Sequence, residues 1–180
     1  MSVPAIHTAE ELERLNLPNK RTELVRGVLI VREPAGFRHG DVAMAIALAV
    51  GTFVRAHGQG RVVAAETGFK LFSNPDTVRA PDVGFVRSER IPDPLPRGFA
   101  PFAPDLAVEV LSPDDRPGEV LAKVADWLNA GTRLVWVVDP DRRTARVHRA
   151  DGTLALVPDG GSLDGEDVLP GFSCQLADVL

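Results

Sequence analysis

The sequence predicts an α/β fold in which helices flank a central parallel or mixed β-sheet and β-hairpins are attached to it. Residues 106–139 contain a strand, a helix and a second strand, an order typical of a crossover between parallel strands. Two pairs of β-rich segments are separated by Arg26–Gly27 and by Asp151–Gly152, as in hairpins. The length of 180 residues, with 44% apolar and 25% charged residues, predicts one domain over residues 1–180.

The first half of the chain predicts two helices around the first hairpin. "TAEELERLN" has Thr8 and Glu11 in the spacing of a capping box, which favours a short helix. Asp41 is expected to cap a second helix that runs to about His57 and ends at Gly58. Because residues 42–50 are apolar on nearly every face, this helix is expected to be largely buried.

The second half predicts further strands around one helix. "RVVAAETGFKLF" is interpreted as a strand with a bend at Gly68, and residues 91–104 as a proline-rich loop. "LAVEVL" is a short apolar strand of the type buried on both faces. The helix after it should run from about Pro117 to Asn129, with Gly131 beyond its end. The tail, "LPGFSCQLADVL", predicts a turn, a short strand and a helical turn.

The composition limits where the protein works and what it binds. Cys174 is the only cysteine, so no internal disulfide can form, and the N-terminus has no signal-peptide pattern. The longest apolar run, "VAMAIALAV", is shorter than the roughly 20 residues of a membrane span. A cytoplasmic protein with no membrane partner is therefore expected. The net charge of −5 disfavours a general nucleic-acid binder, but it is compatible with an enzyme that holds a metal through carboxylates.

Two carboxylates on neighbouring strands are candidate metal ligands. Glu109 lies between Val108 and Val110 in a buried strand, where it must be solvated, bound to a metal or paired with a buried Arg or Lys. Asp82 begins the strand "DVGFV", where an aspartate also commonly caps a turn. Since Mg²⁺ is typically held by one or two protein carboxylates, the two together indicate a metal site if they lie on one face of the sheet.

Three further residues are candidates for the same site. Lys123 is expected at the edge of the buried helix face, where it either reaches Glu109 or covers apolar surface. Glu23 is a candidate outer ligand, with a solvated position or an ion pair with Arg21 as the alternatives. His39 is expected in a loop, either near a ligand or bonded to backbone.

A basic hairpin follows the last long strand. Its cationic side chains are suited to phosphate contacts, or to protecting a solvated strand edge from aggregation. They are Arg142, Arg143, Arg146, His148 and Arg149.

The chain resembles the PD-(D/E)xK nuclease superfamily, and more closely its Uma-two family of restriction-endonuclease-like proteins found in bacteria. The matching segments, in the family's order, are "TELVRG", "APDVGFV", "PDLAVEVLSPDD", "KVADWLNAGTRLVWVVDP" and "LPGFSCQL". The resemblance implies a restriction-endonuclease-like fold, a central mixed sheet flanked by helices, and metal-dependent hydrolysis of phosphodiester bonds.

The resemblance also implies roles for individual residues. Asp82 matches the acidic residue of the first element, and Glu109 matches that of the second; both would bind Mg²⁺ or Mn²⁺. Leu111 stands where the superfamily usually has its lysine, so Lys123 of the next helix would replace it. Glu23 matches an early acidic residue of the family.

The sequence leaves three functional hypotheses. The first is a Mg²⁺-dependent DNA endonuclease with catalytic Asp82, Glu109 and Lys123, and with Glu23 and His39 as accessory residues. The second is a non-catalytic domain that keeps the fold and binds nucleic acid or protein. The third is an enzyme of the same fold that acts on another nucleic acid, or within a defence or transposition system. A homodimer is expected, because a pair of small nuclease domains most simply cuts both strands.

Overall fold

A six-stranded mixed sheet forms the centre of the protein, whose computed structural model describes residues 6–180. β7 (Leu106–Val110) and β8 (Leu134–Asp139) are parallel neighbours, whereas every other pair in this sheet is antiparallel. The parallel pair confirms the predicted crossover and the mixed sheet. In spatial order the strands are β10 (Leu154–Val157), β9 (Thr144–Arg149), β8 (Leu134–Asp139), β7 (Leu106–Val110), β6 (Val83–Arg87) and β3 (Gly60–Ala64).

In residues 6–180, three α-helices and two short 3-10 turns accompany the sheet. The predicted first helix is confirmed as α1 (Ala9–Arg14), and the Thr8 side chain and Glu11 form the capping box. α3 has the predicted bounds. Its first residue is a proline, whose missing N–H has no partner to lose at that position. The helices are α1 (Ala9–Arg14), α2 (Phe37–His57) and α3 (Pro117–Asn129), and the 3-10 turns are Ser88–Arg90 and Leu176–Val179.

The start of α2 and its burial were predicted wrongly. The helix begins four residues before Asp41, because the Gly40 N–H already donates to Gly36 O at 3.1 Å and Gly36 is the N-cap. Its end is as predicted, with Gly58 in the left-handed conformation at φ 63°. Only 28% of its most apolar window is buried, and Met44 and Leu48 are each 59% exposed.

α2 is long and apolar enough to cross a membrane, and it is the one helix in residues 6–180 with this length and composition. Core helices of soluble proteins can have the same length and composition. The buried side of α2 packs against the large sheet through residues spaced four apart: Val42, Ile46, Val50 and Val54.

A second, four-stranded sheet carries the first hairpin. Arg26 and Gly27 both have positive φ, which fits the predicted tight turn. The predicted single strand "RVVAAETGFKLF" is instead two strands, β3 of the large sheet and β4 (Phe69–Phe72) of the small one, with Glu66 in the turn at φ 68°. In spatial order the small sheet is β2 (Val28–Arg32), β1 (Arg21–Val25), β5 (Thr77–Arg79) and β4 (Phe69–Phe72).

The C-terminal region forms the remaining strands. β9 and β10 make the predicted hairpin, and the tail contains the predicted turn, short strand and helical turn. Residues 91–104 form a loop with one isolated bridge, between Ala100 and Phe69. The two last strands pair with each other as β11 (Ser162–Asp164) and β12 (Ser173–Gln175).

Strand β7 is buried on both faces and thereby decides where the site lies. Leu106, Val108 and Val110 belong to the core beside α2, whereas Ala107 packs in the core beneath α3. Since side chains alternate along a strand, Glu109 points to the α3 side together with Ala107. The carboxylate is therefore carried into the layer between the sheet and α3.

Candidate active site

Asp82 and Glu109 lie side by side on neighbouring antiparallel strands. Asp82 directly precedes β6, and its N–H donates to Val108 O at 3.0 Å, which continues the register that pairs Val83 with Val108. The Asp82 side chain is fixed as well, since its Oδ2 accepts from the Val110 N–H at 2.7 Å. Both carboxylates line one cleft, which is the arrangement that the metal hypothesis requires.

Glu109 is held by two donors from α3. Its Oε1 accepts from Trp127 Nε1 at 2.7 Å, and its Oε2 accepts from Lys123 Nζ at 2.9 Å. Burial raises the pKa of Glu109 to about 7, against the opposing charge of Lys123. The carboxylate therefore changes its charge near neutral pH. The ion pair with Lys123 is also the structural alternative that the sequence left open.

Lys123 is the cation at the centre of the cluster. It is 20% exposed, and its Nζ lies 2.9 Å from Ala80 O and 3.2 Å from Glu23 Oε1, in addition to its contact with Glu109. Burial lowers the pKa of Lys123, but the charges of Glu109, Glu23 and Asp82 outweigh it and raise that pKa overall. The side chain is thus a fixed ammonium group, and it does not cover apolar surface at the helix edge.

Glu23 reaches the cluster from the small sheet. It is buried, and both alternatives considered for it, a solvated position and an ion pair with Arg21, are wrong. Its Oε2 accepts from Arg79 Nη1 at 3.0 Å, and its Oε1 accepts from the Ala80 N–H at 3.0 Å. Burial raises the pKa of Glu23, but Lys123 and Arg79 outweigh it and lower that pKa overall. Glu23 is therefore ionised at neutral pH.

His39 contacts the site from the first turn of α2. The expected loop position is wrong, because α2 begins before this residue. Its Nε2 lies 3.2 Å from Asp82 Oδ2, so its partner is a side chain and not the backbone. The hydrogen bond to Asp82 raises the pKa of His39. Although burial raises the pKa of Asp82, His39 and Lys123 outweigh it and lower that pKa overall.

These five side chains line a cleft of about 470 Å³ between the two sheets and α3. Six carboxylates and four permanent cations line this cleft, so it has an excess of negative charge when His39 is neutral. The sequence grouped Asp82, Glu109, Lys123, Glu23 and His39 as candidates, and the structure brings all five together.

The cleft is chemically suited to a divalent cation. Mg²⁺ and Mn²⁺ prefer oxygen ligands. Each oxygen of a carboxylate has two lone pairs, and on each oxygen of Glu109 the hydrogen bond from Lys123 or Trp127 uses only one of them. Across residues 6–180 no three His, Cys, Asp or Glu side chains are grouped as metal ligands. Mg²⁺ needs only one or two carboxylates when water and substrate complete its shell, so Asp82 and Glu109 fit this ion.

Sequence reasoning missed the supporting layer around the site. Arg79 is buried and donates to Glu23 and, from Nε and Nη2, to Asp126 Oδ2 at 3.0 and 2.7 Å. Trp127, which donates to Glu109, was not among the candidate residues. Two signals point to this layer: an arginine at the end of a buried strand three residues before Asp82, and a tryptophan four residues after Lys123.

Glu66 was also missed, and it lies at the mouth of the cleft in the turn between β3 and β4. Its positive φ is uncommon for a residue with a side chain. Burial raises the pKa of Glu66, and Arg21 opposes this change.

The basic hairpin is largely neutralised by acidic neighbours. Arg143 pairs with Asp159 at 2.7 Å, and Arg149 pairs with Glu166 at 2.7 Å. No residue of this hairpin lines the cleft. The structure therefore favours the interpretation of a protected surface over that of a phosphate-binding patch.

The mixed sheet, its flanking helices and the cleft between the two sheets define an α/β protein of the restriction-endonuclease-like class. The chain belongs to the Uma2 family, described as "Putative restriction endonuclease", whose model matches residues 9–177. A solved structure from Anabaena variabilis, described as a putative nuclease belonging to DUF820, has the same fold, with a TM-score of 0.83. It is 22% identical to this chain, and the match covers 96% of each chain. A search of curated proteins found no match.

Proposed function

We propose that this protein is a Mg²⁺- or Mn²⁺-dependent endonuclease that hydrolyses phosphodiester bonds of DNA. The observation that carries the proposal is the meeting of Asp82, Glu109 and Lys123 in one cleft, from two strands and a helix. Membership of the Uma2 family supports a nuclease function at the coarser level. The proposal adds the metal, the DNA substrate and the residues.

Each residue of the site would have its own role in the reaction. Asp82 and Glu109 would hold the ion, which when bound supplies a Lewis acid that lowers the pKa of a coordinated water. Lys123 would donate a hydrogen bond to the attacking water or to the phosphate, because its ammonium group is already aimed at Glu109. Glu23 would keep Lys123 in place and His39 would keep Asp82 in place, through the contacts described above.

The direct test is nicking of supercoiled plasmid DNA with Mg²⁺ or Mn²⁺, and with EDTA as the metal-free control. Asp82→Asn and Glu109→Gln keep the shape of each side chain, and we expect each to reduce nicking by at least about 100-fold. Asp93→Asn is the matched control, because Asp93 is an exposed carboxylate in the loop of residues 91–104, away from the cleft. Its activity should equal that of the unaltered protein.

Metal binding should be measured separately from activity. Calorimetric titration with Mn²⁺ should show a binding site in the unaltered protein and in Asp93→Asn. The affinity for Mn²⁺ should be lower in Asp82→Asn and in Glu109→Gln. Activity that survives both cleft substitutions would refute the proposed residues. RNA and single-stranded DNA in the same assay would distinguish DNA from another nucleic acid as the substrate.

The non-catalytic alternative makes a different prediction. The pairing of Glu109 with Lys123 and Trp127, and of Arg79 with Glu23 and Asp126, satisfies the buried charges within the chain itself. This observation favours a domain that needs no ion to be stable. If the unaltered protein binds duplex DNA but never nicks it with either metal, the binding function replaces the catalytic one.

A further inference from the structure

Arg21 differs from the other permanent cations that line the cleft. Arg32 pairs with Glu119 at 3.1 Å, and Arg79 and Lys123 pair with the carboxylates described above. Arg21 makes no ion pair with any residue of 6–180 within 4.0 Å. Its one recorded hydrogen bond runs from Nε to the backbone Glu33 O at 3.1 Å. The guanidinium is therefore oriented by the backbone, with its two terminal nitrogens available for a ligand.

The position of Arg21 places it at the mouth of the cleft. It lies two residues before Glu23 on β1, so both side chains point to the same face of that strand. Arg21 also lines an adjoining groove of about 480 Å³, which the cleft meets at Arg21, His39, Glu66 and Asp82. A nucleic-acid strand that runs from the groove into the cleft would pass both Arg21 and Asp82, since each lines the groove and the cleft.

The hairpin keeps Arg21 at an electrostatic cost. In the register of β1 and β2, Arg21 stands directly opposite Arg32, and like charges in this position destabilise a sheet. Arg32 is compensated by Glu119 and, at 3.9 Å, by Asp115. No carboxylate of the described residues lies within 4.0 Å of Arg21; burial raises the pKa of Glu66 and Arg21 is near enough to oppose this change, but the two make no ion pair. An anion bound at the cleft mouth would therefore relieve the repulsion between Arg21 and Arg32.

We propose that Arg21 binds a phosphate group of the nucleic-acid strand at the mouth of the cleft, beside the bond that is cut. The proposal rests on the proposed nuclease function and adds a substrate-binding residue to it. A guanidinium with a fixed orientation and two free terminal nitrogens matches a phosphate through paired hydrogen bonds. Arg21 would thus set how far the strand enters the cleft.

The test measures binding of a duplex oligonucleotide over a range of salt concentrations with Ca²⁺, and nicking kinetics with Mg²⁺. Arg21→Gln should weaken binding about tenfold, as expected for one lost charge-assisted contact. The slope of log affinity against log salt should fall by about 0.9, the value for one phosphate contact. In nicking, KM should rise with little change in kcat.

Two further variants separate this role from a structural one. Arg97→Gln removes an exposed arginine that lines none of the grooves described and makes no ion pair within residues 6–180, and its salt slope should equal that of the unaltered protein. Arg21→Lys keeps the charge without the planar group, so it should restore the salt slope but only part of the affinity. A thermal melt of each variant checks folding, and Arg21→Lys keeps the test decisive if Arg21→Gln is unstable.

The outcomes distinguish this inference from the proposed function. If the unaltered protein nicks DNA and Arg21→Gln keeps its KM and salt slope, the phosphate role is wrong and the nuclease function stands. If the protein binds DNA through Arg21 but does not nick it, the phosphate role stands and the nuclease function is wrong. A protein that neither binds nor nicks duplex DNA overturns both.

Discussion

Glu109 can occupy a buried strand because one helix supplies a donor for each of its oxygens. Trp127 and Lys123 are four residues apart on α3, so their side chains leave the same face of the helix and reach the same carboxylate. Without them the carboxylate would be an unpaired buried charge, which costs several kcal/mol. The cost of burial is still visible in its pKa of about 7.

The raised pKa of Glu109 makes stability depend on pH. The unfolded carboxyl has a pKa of 4.5, so between pH 4.5 and about 7 the folded chain binds a proton that the unfolded chain has lost. The contribution of Glu109 to the free energy of unfolding is therefore complete below pH 4.5 and is lost as pH rises through about 7. Relative to Glu109→Gln, the unaltered protein should lose on the order of 3 kcal/mol across this range.

Urea denaturation of both proteins at several pH values measures this difference. Asp82 and Glu23 are present in both proteins, but their charges interact with that of Glu109, so the difference between the two proteins reports Glu109 together with its effect on these neighbours. A difference that does not change between pH 4.5 and 7 would show that Glu109 is ionised throughout this range in the folded protein.

The donor of Trp127 can be tested against a second buried tryptophan. Trp127→Phe removes the hydrogen bond to Glu109, whereas Trp136→Phe removes an Nε1 that has no hydrogen-bond partner in the described residues. Both indoles are fully buried, so each substitution leaves a similar cavity. At pH 8, Trp127→Phe should lower the free energy of unfolding by about 1–3 kcal/mol more than Trp136→Phe does.

The pH profile of nicking provides the second measurement for Trp127. Loss of a donor to the charged form should raise the pKa of Glu109 further, so the activity of Trp127→Phe should rise at higher pH than that of the unaltered protein. Trp136→Phe should keep the original profile. Equal profiles for the two variants would mean that Trp127 contributes packing alone.

Residue types allowed five candidates for the site to be grouped in advance, but not their contacts. Asp82 and Glu109 were identifiable because a charge stood at or within an apolar strand. Arg79 and Glu66 were missed because their roles depend on tertiary contacts that no local sequence pattern reports: Arg79 meets Glu23 and Asp126, which are distant from it in the sequence. The alternative of an ion pair between Glu23 and Arg21 was wrong for the same reason, because Glu23 pairs with Arg79.

At the scale of elements, α3 is the helix that assembles the site. Lys123, Asp126 and Trp127 are spaced at i, i+3 and i+4, so one face of α3 contacts Glu23, Arg79 and Glu109. The strands hold the acidic residues in a fixed register. The exact placement of α3 along the sheets therefore decides whether Lys123 and Trp127 reach Glu109 and whether Asp126 reaches Arg79.

The end of α3 can be weakened without touching the site. Gly131 has φ 102°, a conformation that side chains rarely adopt, and no atom would obstruct an added Cβ. Gly131→Ala should therefore lower the free energy of unfolding by about 1–2 kcal/mol through backbone strain alone. Gly118→Ala, in the first turn of the same helix with equally open space and ordinary φ, should instead raise it by about 0.5 kcal/mol.

Urea denaturation of both glycine variants measures these changes. If both substitutions destabilise the protein by the same amount, the positive φ of Gly131 does not explain the cost of its replacement.

Most helices and strands could be predicted because their signals are local: capping residues, apolar alternation and a glycine in a turn. The start of α2 was predicted wrongly because Asp41 is a good cap by type, whereas the helix is already formed from Phe37 onward. The prediction of one strand for "RVVAAETGFKLF" is wrong because the composition of this segment does not show that the chain leaves one sheet for another at Glu66.

At the scale of the whole molecule, the site lies where two sheets and one helix meet. The small sheet contributes Glu23 and Arg79, the large sheet Glu109, and α3 the lysine. The sequence predicted the crossover of the large sheet, but not that the first hairpin belongs to a separate sheet. Pairing between β1 and β5 joins segments about 50 residues apart, and no local pattern reports such a partner.

A homodimer remains our proposal for the assembled nuclease, since two sites would cut both strands of a duplex. Sedimentation velocity of the purified protein should then give a species of twice the 19.3 kDa chain mass. The same measurement on Asp93→Asn checks that a substitution at the surface leaves the oligomeric state unchanged. A chain that sediments as a monomer at all concentrations, and with duplex DNA, would contradict the proposal.

The chain passes from the small sheet to the large one through only three residues, Ala80, Pro81 and Asp82, between β5 and β6. This short link limits how natural variation can reshape the protein. An added residue here would turn Asp82 away from Glu109 and detach Arg79 from Glu23 at the same moment, so length changes at this point should be absent from functional relatives. The loop of residues 91–104 is joined to β4 at the bridge between Ala100 and Phe69, but its exposed part, residues 93–98, enters no such register, so changes of length there should leave the site intact.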